Sequence, residues 1–205
     1  MAIPTYRGSA IPVLSVAPDW SDPVKWRQRY ATTITESLNG TEERQARQPR
    51  PLYGLGFRTA SLSAAETAYL RALLEKPDAL PVACPLWPLA CKLTAAANAG
   101  ATSLALDDTA DCLFAVFHEF AILWETFDHW QIVELNVVSA NGATLNAALL
   151  TSFPSLSSLL VPLAYGHAPR ANIDQLTDEH GQWECNFSET FHRLHDQSIP
   201  EASPA

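Results

Sequence analysis

The sequence predicts a mainly β protein: an antiparallel β-sandwich-like base with one short covering helix and an inserted small antiparallel β-barrel. Three observations predict it. Tyr53, Leu55 and Phe57 alternate with Gly54, Gly56 and Arg58, the period of two that a half-buried strand requires, because successive side chains point to opposite faces. The capping box Ser63-Ala-Ala-Glu66 marks one short helix. Short apolar segments separated by turn signals then fill residues 102–163, the texture of a small antiparallel barrel.

Taken in order, residues 1–20 carry Pro4, Pro12 and Pro18 with little periodicity and read as an extended N-terminal arm or edge strand, since proline removes ladder donors. Asp22-Pro23 continues this loop. Tyr30, Thr32, Ile34, Glu36 and Leu38 share one parity and predict a strand that returns through Tyr53–Phe57, with residues 39–51 as the connection. In the helix, Ser63 accepts from the backbone while Glu66 reaches back. Ala65, Tyr69, Ala72 and Leu73 form the expected buried face, and Pro77 closes the element. Pro81, Pro85 and Pro88 frame Leu86-Trp87. Residues 94–101 are small and unpatterned, as a linker is.

Strands are expected at Thr102/Leu104/Leu106, Phe120–Trp124, Val133/Leu135/Val137, Leu145/Ala147/Leu149 and Leu159/Val161/Leu163. Asn141-Gly142 stands where a two-residue hairpin turn asks for positive φ. Trp183–Phe187 is placed to rejoin the first sheet. The expected organisation is an arm over 1–20, a base domain over 21–94 plus 165–197, an inserted barrel over 95–164 and a tail over 198–205.

A chain of 205 residues can bury a core without covalent staples. No apolar run of about 18 residues is present, so no transmembrane helix is expected. The N-terminus lacks the basic-then-apolar layout of a signal peptide, and synthesis in a cytoplasm is the expectation. Cys84, Cys91, Cys112 and Cys185 form no C-x-x-C pair, which argues against zinc ribbons and redox dithiols. They are expected to be reduced, buried and apolar in behaviour.

The net charge of −9 is unevenly spread. Residues 25–58 hold seven Lys and Arg against three Glu, a net of +4, whereas residues 171–205 hold seven Asp and Glu against Arg193, a net of −6. Opposite regional charges suit a self-associating ring, the basic face of one copy meeting the acidic face of the next. The acidic balance argues against a nucleic-acid partner.

Catalytic signals are weak. His118-Glu119 with His129 lacks the helical zincin spacing, because position 122 is Ile, and His192 with His195 lies close to the tail. No Gly-x-Ser-x-Gly elbow exists. Glu119, Glu125, Asp128 and Glu134 cluster in sequence, but a glycosidase needs convergence across a bond. No enzyme activity, metal or cofactor is expected. Six tryptophans raise the alternative of a carbohydrate-binding β module. Most of them read as core, with Trp20 and Trp130 as the expected exposed pair. The sequons at Asn39 and Asn186 carry little weight without a secretory signal.

The stretch Asn39-Gly-Thr-Glu-Glu-Arg-Gln-Ala-Arg-Gln-Pro-Arg-Pro51 sets Arg44, Arg47 and Arg50 at a spacing of three. Planar guanidinium forks hold carboxylates or carbonyls across an interface. Arg44, Arg47 and Arg50 with Glu42 and Glu43 are therefore the candidate contact loop, against the alternative of a solvated charged loop. Trp20 is a second candidate contact.

The order of features resembles distal-tail and tail-tip structural proteins of long-tailed bacteriophages. It runs from Ile11-Pro-Val-Leu-Ser-Val-Ala-Pro-Asp-Trp20 through Trp26 to Gly40–Arg50. It continues with an aromatic strand, a short helix and Pro85-Leu-Trp-Pro88, then a compact β region and Trp183-Glu-Cys-Asn-Phe187. The resemblance implies a virion component made in the bacterial host cytoplasm. It also implies a ring of identical copies between the tail tube and the hub, baseplate or receptor-binding proteins.

Overall fold

The computed structural model describes residues 5–6, 9–30, 32–36, 42–46, 51–60, 62–74, 81–110, 112, 114, 120–167, 173–175 and 181–191. Two short strands, β1 (Thr5–Tyr6) and β2 (Ser9–Ala10), pair with each other. After them come β3 (Lys25–Arg29), β4 (Thr32–Glu36), β5 (Glu42–Ala46), β6 (Leu52–Arg58), helix α1 (Ala64–Leu74), β7 (Val82–Pro85), a 3-10 turn at Trp87–Leu89 and β8 (Cys91–Lys92). The remaining strands are β9 (Ser103–Ala105), β10 (Phe120–Trp124), β11 (Trp130–Ser139), β12 (Gly142–Leu145), β13 (Leu159–His167), β14 (Ile173–Gln175) and β15 (Gly181–Phe191). The protein is mainly β with one helix among the described residues. Eleven strands form one antiparallel sheet with the path β3-β6-β15-β13-β10-β11-β12-β9, with β14 on β15 and both β7 and β8 on β13.

Strand β13 is the hub. Its first half pairs with β10 and β8, and its second half with β7 and β15. The segment β13-β10-β11 is apolar on both faces, and each face packs into a different core. Phe120, Ile122, Ile132, Val161 and Leu163 enter the first, while Ala121, Leu123, Val133, Leu135 and Leu160 enter the second. Burial on two faces explains why Phe-Ala-Ile-Leu-Trp reads as a continuous apolar run instead of an alternating one.

The first core also contains Ile11, Val13, Leu14 and Val16. Residues 11–18, expected to be an arm, carry only the isolated bridges of Val13 and Pro18, and most of them are buried within their own chain. Leu14 N–H donates to the Ala83 carbonyl at 2.8 Å, Ala83 N–H donates to Pro12 at 2.8 Å, and Trp124 Nε1 donates to Ser15 at 2.9 Å. Helix α1 lies against this core. Its capping box forms as expected: Ser63 N–H and Oγ both donate to Glu66 Oε2, at 2.7 and 2.8 Å, and Glu66 N–H donates to Ser63 Oγ at 3.3 Å. The buried face is Leu70 and Leu73 with Tyr69 partly covered, whereas Ala65 and Ala72 are exposed. The larger side chains at the i and i+3 positions win the core-facing stripe because they remove more apolar area from water.

Three local expectations are corrected. The strand before the arginine-rich stretch does not pair directly with Tyr53–Phe57. β3 pairs with β6, from Lys25 with Gly56 to Arg29 with Leu52, and β4 pairs with β5, from Thr32 with Ala46 to Glu36 with Glu42. The chain goes out along β3 and β4 and returns along β5 and β6, so Glu42, Glu43 and Arg44 lie on a strand and not in the connection. Only three positions separate Arg29 from Thr32, while six separate Ala46 from Leu52. That mismatch interrupts the ladder and leaves β4–β5 as a separate two-stranded sheet.

The second correction concerns the hairpin turn. Ser139 pairs with Gly142, so the two-residue loop is Ala140-Asn141, and positive φ among the described residues occurs only at Gly100 and Leu156. Gly142 answers a different need: a Cβ there would lie 2.7 Å from the Leu104 carbonyl oxygen. The close approach of β9 selects glycine.

The third concerns the cysteines. Cys84 and Cys185 are free and buried, but Cys91 and Cys112 form a disulfide with Cα atoms 6.7 Å apart. Sequence spacing does not reveal it, because the pair meets only after β9 has folded back toward β8. Burial, then the neighbouring Cys185 thiol, pushes the Cys84 thiol well above its ordinary value.

Candidate interaction surface

In an antiparallel ladder, directly paired residues share a face. Tyr53, Leu55 and Phe57 of β6 point into the first core, so Leu52, Gly54, Gly56 and Arg58 point outward. Their partners on β3 are Arg29, Arg27 and Lys25, and their partners on β15 are Ser188, Asn186 and Glu184. The outer face is a trough. Gly54 and Gly56 form its floor, a basic row forms one wall, and the polar row Glu184/Asn186/Ser188 forms the other.

The floor has room for a Cβ at either glycine, at ordinary contact distances. A Cβ at Gly56 would meet Asn186 Oδ1 at 3.4 Å and Lys25 Cβ at 3.5 Å, and one at Gly54 would meet the Phe187 carbonyl at 3.5 Å. At one end Arg29 reaches across, its Nη2 donating to Ser188 Oγ at 2.9 Å and to the Glu189 carbonyl at 3.3 Å. At the other end lies an open cleft of ≈ 250 Å³ lined by Asp22, Pro23, Lys25, Gly56, Arg58 and Glu184. Arg58 pairs with Asp22 at 3.6 Å. Lys25 and Arg27 have no carboxylate within 4.0 Å among the described residues. The trough thus sets the exposed cations Lys25 and Arg27 on one wall opposite the row Glu184/Asn186/Ser188 on the other.

Trp20 lies in the turn that leads to Asp22 and is 60 % exposed. The turn is rigid. Asp19 N–H donates to the Arg58 carbonyl at 2.7 Å, and Asp19 Oδ1 accepts from Ser21 N–H at 2.9 Å and Ser21 Oγ at 2.7 Å. The Ser21 hydroxyl, then the Ser21 amide, and then the Arg58 charge hold the Asp19 carboxyl below its ordinary value. Of the other site residues expected from sequence, Glu42, Glu43 and Arg44 stand on β5, and Arg47 and Arg50 lie outside the described residues.

The remaining candidates are engaged locally. His118 and Glu119 lie outside the described residues, as do His192 and His195. His129 Nδ1 is 2.6 Å from Glu125 Oε2, and its ring stacks on Phe153 with centroids 4.6 Å apart. Asp128 accepts from Thr126 Oγ1 at 2.8 Å, and Glu134 from Asn146 Nδ2 at 2.8 Å. Among the described residues no three His, Cys, Asp or Glu side chains come together as a metal site, and no helix is long and apolar enough to cross a membrane. Trp87 and Trp183 are buried, while Trp26, Trp124 and Trp130 pack against the first core. Trp130 is thus not the exposed residue expected of it, because its strand lies against that core.

Sequence reasoning missed two features. The β3 wall was legible as the alternation of Lys25, Arg27 and Arg29 with Trp26 and Gln28. Glu189 was not: it is 1 % exposed, and its Oε2 accepts from Tyr53 N–H at 2.8 Å. No sequence signal separates it from the exposed acids around it. No protein-family model matches the chain, and a search of curated proteins found no match.

Proposed function

We propose that the chain is a structural subunit of a bacteriophage tail tip, a distal-tail protein or adjoining adaptor. In this reading it forms a ring that joins the tail tube to the baseplate or receptor-binding parts. The observation that carries the reading is the β4–β5 ribbon, a two-stranded sheet separate from the main one. An isolated two-stranded hairpin is at best marginally stable in water and needs something to pack against. This one bears Glu42, Glu43 and Arg44 and leads into Arg47 and Arg50, the residue types that dock on a partner's carboxylates and carbonyls. The finer architecture belongs to the same proposal. Strands β8, β13, β10, β11, β12 and β9 surround the second core, and the bridge between Leu93 and Leu106 brings the two ends of that series together, which supports an inserted small barrel on a sandwich-like base.

The test is the triple variant Arg44→Ala/Arg47→Ala/Arg50→Ala. The expected result is an unchanged circular dichroism spectrum with loss of incorporation into tail particles. A triple variant that still builds normal tails overturns the proposal. One observation favours a second reading, a carbohydrate-binding module: the exposed Trp20, two residues before Asp22 of the cleft lining. Glycan titration of wild type against Trp20→Ala separates the two, because a lectin quenches its fluorescence through that residue without assembling.

A further inference from the structure

The two longest runs of the chain without Asp, Glu, Lys or Arg are residues 135–169 and 93–106. Folding lays them side by side. β9 pairs with β12, from Ala105 with Gly142 to Ser103 with Thr144, and the backbone pairing continues beyond both strands. Leu145 N–H donates to the Thr102 carbonyl at 2.9 Å, and Leu149 N–H to Ala101 at 2.9 Å. Ala97 and Phe153 exchange both backbone bonds, at 2.9 and 2.7 Å, and Leu156 N–H donates to the Leu93 carbonyl at 2.9 Å. Leu93, Ala97, Leu104, Leu145, Leu149 and Phe153 turn inward and fill the second core.

Core packing explains those inward residues but not the outward ones. Nine residues between 93 and 105 and ten between 142 and 157 are exposed, and none of them is charged. Exposed Leu150 and Leu156 are among them, and exposed Val137 lies beside Thr144, its N–H donating to Thr144 Oγ1 at 3.1 Å. Leu156 has a φ of 68° and is 73 % exposed. A left-handed backbone at leucine carries a steric cost that glycine avoids, and an exposed side chain gains no offsetting burial within the chain.

The chemistry of this face selects its partner. A charged surface docking here would lose its hydration without meeting a counter-ion. The nineteen exposed positions hold no aromatic ring for a sugar to stack on and no cation for a phosphate. Another uncharged face fits, and the chain's longest charge-free runs supply one. With Val137 the exposed positions reach the roughly 20–30 residues a side of a stable interface. We propose that this face joins two copies of the chain, each presenting the same surface about a two-fold axis. The inference is independent of the tail-tip reading, because it uses none of the residues 42–50.

The experiment is sedimentation velocity with native mass on the full chain, from about 1 to 100 μM, at about 500 mM salt, where contacts between exposed charges are screened. Wild type is expected to form dimers. Leu150→Asp/Leu156→Asp, which places unpaired carboxylates in the contact, is expected to raise the dissociation constant at least about tenfold with an unchanged circular dichroism spectrum. Arg44→Ala/Arg47→Ala/Arg50→Ala is expected to dimerise like wild type, so the contact is separated from the arginine-rich one. A wild type that stays monomeric at about 100 μM, a concentration ample for a weak contact, overturns the proposal. A double aspartate variant that dimerises like wild type, or an arginine triple variant that does not dimerise, also overturns it. Each of these outcomes leaves the tail-tip reading to its own incorporation experiment.

Discussion

Gly166 gives the sharpest test of the architecture. It lies on β13 at the irregularity where that strand meets β15, opposite Glu189 and beside Val82 of β7. A Cβ at this position would sit 2.0 Å from the Ser188 carbonyl oxygen and 2.8 Å from both the Ser188 carbonyl carbon and Glu189 Cα. All three are backbone atoms of the paired strand, so no side-chain rotation relieves the clash. β13 and β15 must separate. Overpacking of this kind costs roughly 1–3 kcal/mol, and the backbone location puts Gly166→Ala at the upper end, about 3 kcal/mol. For a chain of this size that lowers the melting temperature by about 6–12 °C. Gly54→Ala is the control, since its new Cβ would meet Phe187 O at 3.5 Å and Arg27 Cβ at 3.6 Å, ordinary contacts. It is expected to stay within about 1 kcal/mol of wild type, with a favourable contribution from the stiffer unfolded chain. Thermal and urea melts of the three proteins decide the matter. If Gly166→Ala melts with wild type, or Gly54→Ala loses as much, the close approach of β13 and β15 is refuted.

Three further outcomes are expected. Glu189→Ala leaves the Tyr53 amide without its 2.8 Å acceptor and costs about 1–3 kcal/mol by urea denaturation, while Glu189→Gln, which keeps an acceptor oxygen, retains most of that stability; equal losses would contradict the assignment. Cys91→Ser/Cys112→Ser opens a loop with a sequence separation of 21 and costs about 3 kcal/mol on loop entropy, so melts with and without reductant should differ in wild type and coincide in the double variant. Burial raises the Tyr69 phenol above its ordinary value, so the folded state favours the protonated form, whose hydroxyl donates to the Val13 carbonyl. That contribution is complete below the unfolded value, near pH 10, and is lost as pH rises through the folded one. Wild type should therefore lose stability more steeply than Tyr69→Phe as pH rises above about 10, and parallel profiles would refute the role of the phenol.

What the sequence made legible was local chemistry. The capping box at Ser63 and Glu66 is a short-range exchange of hydrogen bonds, and it formed as read. The return of Trp183–Phe187 to the first sheet was legible because Trp183, Cys185 and Phe187 repeat with the period of a one-sided strand. What escaped depends on contacts distant in sequence. Val137 continues the alternation of Val133 and Leu135, yet it is 58 % exposed, because the register shifts between Leu135 and Val137 and turns it outward. A bulge of one residue reverses every later side chain, and no composition signal announces it. The Cys91–Cys112 bond and the burial of Glu189 likewise arise from the meeting of strands far apart in the chain.

The candidate site gains coherence from that same topology. Read as sequence, Arg44, Arg47 and Arg50 were a cluster separate from Lys25, Arg27 and Arg29. The antiparallel return of β5 and β6 along β4 and β3 makes them parts of one feature, an edge strand and the ribbon that follows it, spanning residues 25–58. Stability alone does not account for placing so many cations there. Exposed ion pairs contribute about 0–1 kcal/mol, and unpaired like charges repel. Within this region Arg58 holds Asp22 and Arg29 is held by Ser188 and the Glu189 carbonyl, while Lys25 and Arg27 keep their charge turned to solvent. Such charges also keep the β3 edge from pairing with a second copy of itself. In the proposed ring these cations are the contact, and the arginine triple variant addresses the ribbon that bears Arg44.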